Sequence, residues 1–192
     1  MNDEAPANLL TQPSYDTVQV PIAAVRQVVN FFQDPKGSIL AGAVLKTYSD
    51  TNFVQGGRLD KGKGLIIQGM TMSVRHTATG GAIVTRADYE TIYDRSYIDL
   101  IFGGDTSFLR IPAKQIPAGN GQVEYRSNIT PGATEFSMWH GASHVSNMFK
   151  LAQPLQLQEQ ETVQVELHIE GAIIAPVDIE FYLHGVQARP VR

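Results

Sequence analysis

Glu161-Thr162-Val163-Gln164-Val165-Glu166-Leu167-His168-Ile169-Glu170, followed by Pro176-Val177-Asp178-Ile179-Glu180-Phe181-Tyr182-Leu183-His184-Gly185, decides the fold of this chain. Val163, Val165, Leu167 and Ile169 share one parity in the first run, and Val177, Ile179, Phe181 and Leu183 do so in the second. Alternation with period two places every second side chain on one face of a strand, so each segment buries one face and wets the other. Gly171–Pro176 breaks the pattern between them. Two such strands closing the chain predict a β-sandwich or barrel whose final strands complete a sheet. Neither is an active-site signature.

Working outward, Gly64 to His76 reads as another strand. Ile66, Met70, Met72 and Val74 share a parity that Gln68 interrupts, and Gly56-Gly57 and Gly80-Gly81 mark turns on either side. Thr85-Arg86-Ala87-Asp88 sets a hydroxyl three residues ahead of a carboxylate, the form of a capping box. Tyr89, Ile92 and Tyr93 follow at helical spacing and predict a short helix to about Asp94. Tyr97–Phe102 and Ser107–Ile111 around Gly103-Gly104-Asp105 have the form of a hairpin. Pro21 followed by Ile22, Val25, Val29 and Phe32 predicts a helix that Asp34-Pro35-Lys36-Gly37 stops, although β-branched residues also suit a strand.

Ser38 to Tyr48 is apolar and glycine-bearing, the texture of a strand. Pro117-Ala118-Gly119-Asn120-Gly121 opens an aperiodic stretch that runs past Pro131-Gly132, as an exposed contact loop does. Strand-like pieces return at Thr134–Trp139, Val145–Leu151 and Pro154–Leu157. Residues 1–14, with Pro6 and Pro13 among small polar residues, read as a flexible N-terminal arm. Residues 15–192 then form a single all-β domain, an antiparallel β-sandwich of about eight strands with one or two short helices.

Composition narrows the function classes. The chain has 192 residues, 43% of them apolar and only 18% charged. A charge-poor surface suits a protein that meets other subunits, and a neutral sandwich gives the same composition. A net charge of −4 and the acidic start Met1-Asn2-Asp3-Glu4 give no electrostatic reason for nucleic-acid binding. The densest basic cluster, Arg58-Leu59-Asp60-Lys61-Gly62-Lys63, is glycine-broken and carries an acid, so it reads as a solvated turn. Without cysteine, disulfides and thiolate chemistry do not enter. No apolar run is long enough to span a bilayer, and no basic segment leads into an apolar one, so a cleaved secretion signal is not expected.

The histidines are the first place to look for chemistry. His140 and His144 are four apart, but the glutamate that a zinc-protease helix sets between them is missing. No His-x-His pair occurs for a cupin-type metal site. His168 and His184 fall on the polar parity of the two closing strands, near Glu166, Glu170, Asp178 and Glu180, where an imidazole changes charge near neutrality. No Gly-x-Ser-x-Gly elbow, phosphate loop or dinucleotide-binding turn appears. No catalytic, cofactor or metal-ligating residue is nominated, and an enzyme is not expected.

Phe108-Leu109-Arg110-Ile111-Pro112 leads into Ile116-Pro117-Ala118-Gly119-Asn120-Gly121, and Leu151-Ala152-Gln153-Pro154-Leu155-Gln156-Leu157 runs into Val163-Gln164-Val165-Glu166-Leu167. With the ending Phe181-Tyr182-Leu183-His184-Gly185-Val186-Gln187-Ala188-Arg189-Pro190-Val191, these segments resemble single jelly-roll coat proteins of tailless icosahedral bacterial viruses. The order of arm, strands, short helix, hairpin and closing strands adds to a resemblance that spans about residues 64–192.

It implies a capsid subunit that self-assembles into an icosahedral shell, located in the virion and assembled in the host cytoplasm. Its partners would be copies of itself and other virion proteins, with an internal membrane or the genome nearby. No sequence-specific nucleic-acid binding, small-molecule substrate or cofactor is implied. Coat proteins of small viruses often carry a basic arm, whereas this one starts acidic and suits subunit contacts better than genome condensation. The preferred contact elements are the arm Met1–Ser14, the helix Ile22–Phe32 and the loop Pro117–Thr134, with Phe31, Phe32 and Trp139 as anchors. Jelly rolls also serve as binding heads. The alternative is therefore a virion spike or carbohydrate-binding module in which Trp139 and Tyr125 stack on a sugar.

Overall fold

The alternating segments become strands, and their pairing fixes the rest of the chain. The computed structural model describes residues 7–76, 85–103, 106–119, 122–126, 136–140 and 147–190. In chain order the strands are β1 (Ala7–Thr11), β2 (Ser14–Val20), β3 (Gln27–Phe31), β4 (Ile39–Ala41), β5 (Val44–Leu45), β6 (Gly64–His76), β7 (Ser96–Phe102), β8 (Thr106–Pro112), β9 (Gln122–Arg126), β10 (Phe136–His140), β11 (Phe149–Leu157), β12 (Val163–Ile169) and β13 (Val177–Pro190). One helix, α1 (Arg86–Asp94), precedes β7, and a 3-10 turn, Ala113–Gln115, follows β8.

In one sheet β13 lies between β6 and the collinear pair β1 and β2, with β11 beyond β6. The other sheet runs β3–β12–β7–β8. All these neighbours are antiparallel. The chain visits the sheets in the order β2 first, β3 second, β6 first, β7 and β8 second, β11 first, β12 second, β13 first. Those are the two interlocked Greek keys of a jelly roll. The all-β, jelly-roll-like sandwich expected from the sequence is the architecture observed.

The core lies between the sheets. Val163, Val165, Leu167 and Ile169 of β12 face Val177, Ile179, Phe181 and Leu183 of β13 across it, and none has accessible surface. Phe31 of β3 meets Phe181 with ring centroids 5.5 Å apart, which ties the two sheets together. The helix forms where its cap predicts. The Thr85 hydroxyl accepts from the Asp88 N–H at 3.3 Å, and the Asp88 carboxylate accepts from the Thr85 N–H at 2.8 Å. Tyr89, Ile92 and Tyr93 turn the helix's apolar face into the same core.

Four expectations need correction. Ala7–Thr11 of the supposed flexible arm is β1, paired with β13 from Ala7↔Pro190 to Thr11↔Val186, and Ser14 already belongs to β2. The reason is length: β13 has 14 residues and β2 has 7, so the edge of β13 past Leu183 would otherwise leave its backbone groups unpaired. Met1–Pro6 lies outside the described residues. The helix expected over Ile22–Phe32 is replaced by β3, which pairs with β12. Val29 and Phe31 point inward while Val28 and Asn30 point outward, so period two overrides the helical spacing. Ser38–Tyr48 holds not one strand but the small β4–β5 hairpin, turned at Gly42.

The fourth concerns β6. Leu65 and Ile67 point inward before Gln68, and Met70, Met72 and Val74 do so after it, so Ile66 is not in phase with them. A bulge switches the parity: His184 pairs with Gly69 and Gly185 with Ile67, leaving Gln68 without a partner in β13. The bulge needs a glycine opposite it. A Cβ at Gly185 would stand 1.8 Å from the Ile66 carbonyl oxygen.

A buried ion pair fixes the corner after β3. Asp16 and Lys46 are both buried, with Nζ 2.8 Å from Oδ1, while Oδ2 accepts the Phe32 N–H at 2.7 Å. Phe32 has φ +67°, a left-handed conformation uncommon without glycine, and this hydrogen bond holds it there. Burial pushes the Asp16 carboxyl up, against the pull of Lys46, the Phe32 N–H and Thr51.

Replacing Gly185→Ala should lower the unfolding free energy by about 3 kcal/mol, the upper part of the usual overpacking cost. Urea unfolding followed by circular dichroism checks this, and an unchanged midpoint would show that β6 yields at the bulge.

Candidate functional site

Period two sends polar side chains to the outer face of each sheet, and both faces build connected clusters. On the β3–β12–β7–β8 face, Tyr97 and His168 are register partners and stack with ring centroids 4.5 Å apart at 7°. The Arg110 guanidinium lies 5.2 Å from the Tyr97 ring centroid and holds Asp99 through Nη2 at 2.6 Å and Nε at 3.1 Å. Burial pushes the Asp99 carboxyl up, but the Ser107 hydroxyl and the Arg110 guanidinium outweigh it and keep the group below the ordinary carboxylate range. His168 Nε2 lies 2.9 Å from a Glu166 oxygen, and its buried Nδ1 has no partner among the described residues. Pairs of this kind bind strands to one another. They need no ligand.

The β2–β13–β6 face carries a tighter cluster. Glu180 is only 3% exposed and accepts from Ser73 at 3.3 Å and from the Tyr182 hydroxyl at 3.2 Å. His184 Nε2 lies 2.9 Å from the Thr71 hydroxyl. The Tyr182 ring sits between Tyr15 at 5.8 Å and His184 at 6.0 Å. Past the end of β11, the Met72 N–H donates to the Pro117 carbonyl at 3.1 Å and draws Ala118 and Gly119 over this face. The open pocket formed there, about 180 Å³, is small for a ligand. Burial pushes the His184 imidazole down. A hydroxyl beside an imidazole is half of a nucleophile–base pair, but among the described residues no acid orients the ring's other nitrogen. Nor do three metal-ligating side chains come together anywhere among them.

A larger cleft, about 310 Å³, opens between the start of β2 and the segment that joins β5 to β6. Tyr15, Tyr48, Asn52, Arg58, Asp60 and Lys63 line it. The basic turn read as merely solvated is therefore a wall of this cleft. Several of its polar groups serve the wall itself. The Tyr15 N–H donates to Asn52 Oδ1 at 3.0 Å, its hydroxyl donates to the Tyr48 carbonyl, and Lys63 pairs with Asp60. The Lys36 ammonium stands 3.7 Å from the Tyr48 ring centroid.

The anchors chosen from the sequence do not gather on the surface. Phe31 and Phe32 are fully buried against Phe53 and Phe181, so they are core residues of this chain and not subunit contacts. The assumed helix would have carried them on an exposed element; the strand turns Phe31 inward, and the left-handed corner does the same for Phe32. Trp139 lies in β10, opposite Val123 of β9. Its side chain lies outside the described residues, as do those of Tyr125 and His140, and His144 lies outside them altogether. The loop Pro117–Thr134 includes β9, so part of it is a hairpin arm with β10. His168 and His184 occupy the polar faces that their parity predicted.

Sequence reading missed a set of exposed aliphatic residues: Ile22, Val25 and Ile174 in two turns, and Ile39, Val44 and Leu45 on the β4–β5 hairpin. A signal was present at Ile173-Ile174, two adjacent isoleucines between Gly171 and Pro176, of which a strand buries only one. Comparison with protein-family models, curated proteins and solved structures finds no match to this chain.

The depressed His184 has a sign that can be tested. Its neutral form is favoured in the fold, so its contribution is fully present above the ordinary histidine value of about 6.5. Stability then falls as pH drops from there through the lowered folded value. Urea midpoints between pH 7.5 and 5 should decline in the native protein and decline less in His184→Gln. Parallel profiles would place the proton uptake elsewhere.

Proposed function

We propose that this chain is a structural subunit of a bacterial virus particle, a jelly-roll coat protein that assembles with copies of itself into a closed icosahedral shell. The observation that carries this reading is the exposed aliphatic set. The core between the sheets is already filled, yet Ile22, Val25 and Ile174 lie beyond one end of β3, and Ile39, Val44 and Leu45 follow its other end. A subunit with neighbours on several sides buries such groups, whereas a solitary domain gains nothing by presenting them. Each contact needs only modest strength, because a shell multiplies contacts per subunit.

In this reading the chain performs no chemical step and takes no cofactor. It works in the virion after assembly in the host cytoplasm, beside other virion proteins and with a membrane or the genome beneath the shell. Its acidic Asp3-Glu4 start does not condense nucleic acid.

A second reading, a spike or carbohydrate-binding head, draws on the cleft at Tyr15 and Tyr48, where ring faces, the Asn52 amide and the Arg58 guanidinium border a space of sugar size. The side chains of Trp139 and Tyr125, the platform expected from the sequence, lie outside the described residues. A glycan-dependent rise in melting temperature that Tyr48→Ala abolishes would favour it over the coat reading.

Size-exclusion chromatography with light scattering and negative-stain microscopy test the main proposal. Discrete oligomers or closed particles that grow with protein concentration are expected. A monomer at every concentration and salt condition would overturn it.

A further inference from the structure

We propose that Ile22, Val25 and Ile174 form a self-association patch that docks on a second copy of this chain; this rests on the coat reading and names one of its contacts. The patch is built by register. Ala23 and Ile173 exchange backbone hydrogen bonds of 3.0 and 2.8 Å, an isolated antiparallel bridge between the β2–β3 and β12–β13 turns. That bridge sets Ile22 opposite Ile174. Ile173 is buried, so its neighbours in an extended chain point the other way, into solvent. Ile22 is 62% exposed, Val25 in the same turn 70% and Ile174 59%.

The exposure does not come from a loose loop. The Ile174 N–H donates to Asp88 Oδ1 at 2.6 Å, and Asp88 is itself buried and locked in the capping box of α1. Ile173 and Ala175 on either side are buried as well. The Glu170 N–H donates to the Arg95 carbonyl at 2.8 Å and fixes the approach to the turn. The aliphatic groups therefore sit on a platform already ordered, and a partner need not spend binding energy on ordering it.

The rim identifies the occupant. Ile169 pairs with Gln27, so the next positions bring Arg26 beside Glu170, with Nη2 3.5 Å from Oε1 and the two side chains 58% and 51% exposed. Arg26 also donates to the Tyr97 hydroxyl at 3.0 Å. The turn is thus bordered by an exposed pair of opposite charges, Arg26 and Glu170, with the exposed Arg95 side chain beside Gly171. A second copy offers the same two charges, so each finds its opposite across the contact. A partner of one sign would attract one group and repel the other. An anionic membrane surface would call for cations without the acid.

Charge reversal in a mixing experiment tests this. Arg26→Glu gives a rim of two acids and Glu170→Arg a rim of two bases, so each variant alone should lose association while the equimolar mixture regains it. Ile22→Asp combined with Ile174→Asp should weaken self-association about 100-fold, the scale of a lost hot spot. Sedimentation velocity reads the association, and circular dichroism with thermal melting confirms that each variant folds. The charge variants, both at exposed positions, keep the test alive if the aspartate variant does not fold. Wild-type protein that assembles while the aspartate variant assembles equally well, or a mixture that stays dissociated, would overturn this patch and leave the coat reading intact. Wild-type protein that never associates would remove both.

Discussion

The rest of this structure depends on β13 being hydrogen-bonded along both edges. β6 pairs with it from Val177 to Ala188, while β2 and then β1 take the opposite edge. A strand held on both sides leaves few backbone groups for water or a neighbour to claim, and its inner row from Val177 to Leu183 is driven fully into the core. Two consequences follow. Ala7–Thr11 is drawn into a sheet, because β2 is too short to cover β13. The glycine at 185 becomes obligatory, because β6 carries one residue more than β13 at that level.

A buried charge pair does comparable work at the corner between β3 and β4. Removing either Asp16 or Lys46 would leave the other ionised in the core, at a cost of about 3–5 kcal/mol. Such a pair adds little net stability compared with apolar packing, so its value lies in geometry. It holds Phe32 in a left-handed conformation and so aims that ring at Phe53 and Phe181. The polar clusters on the outer faces have a similar role. Tyr97, His168, Asp99 and Arg110 link three strands of one sheet, and Glu180, Tyr182, Ser73, Thr71 and His184 link β13 to β6 in the other. The functional proposals accordingly rest on the turns and the cleft, where side chains are left over once the fold has used its own.

The two readings use different surfaces. Self-association draws on the turns that join β2 to β3 and β12 to β13, where aliphatic groups stand on a rigid base. Ligand binding draws on the cleft beside Tyr15 and Tyr48, where many polar groups already serve the wall. The first presents solvated isoleucine and valine side chains, which gain by burial, while in the cleft the Tyr15 hydroxyl and the Asn52 amide are already engaged.

The sequence by itself determined the strand identity and inner face of β12 and the first half of β13, the capped helix α1, the β7–β8 hairpin and the polar placement of His168 and His184. Each follows from local chemistry: a period of two, a hydroxyl three residues before an acid, or a turn rich in glycine. Tertiary structure decided what those rules leave open. Ile22 to Phe32 carries both a helical spacing and β-branched residues, and only pairing with β12 made Gln27–Phe31 within it a strand. The inward parity of Leu65 and Ile67 depends on a bulge set by Gly185, more than a hundred residues away. The surface patch at Ile22 and Ile174 exists because two distant turns bridge. Local periodicity fixes which face of a segment is apolar. Pairing between segments distant in sequence fixes which apolar residues find a partner inside the chain and which remain for another molecule.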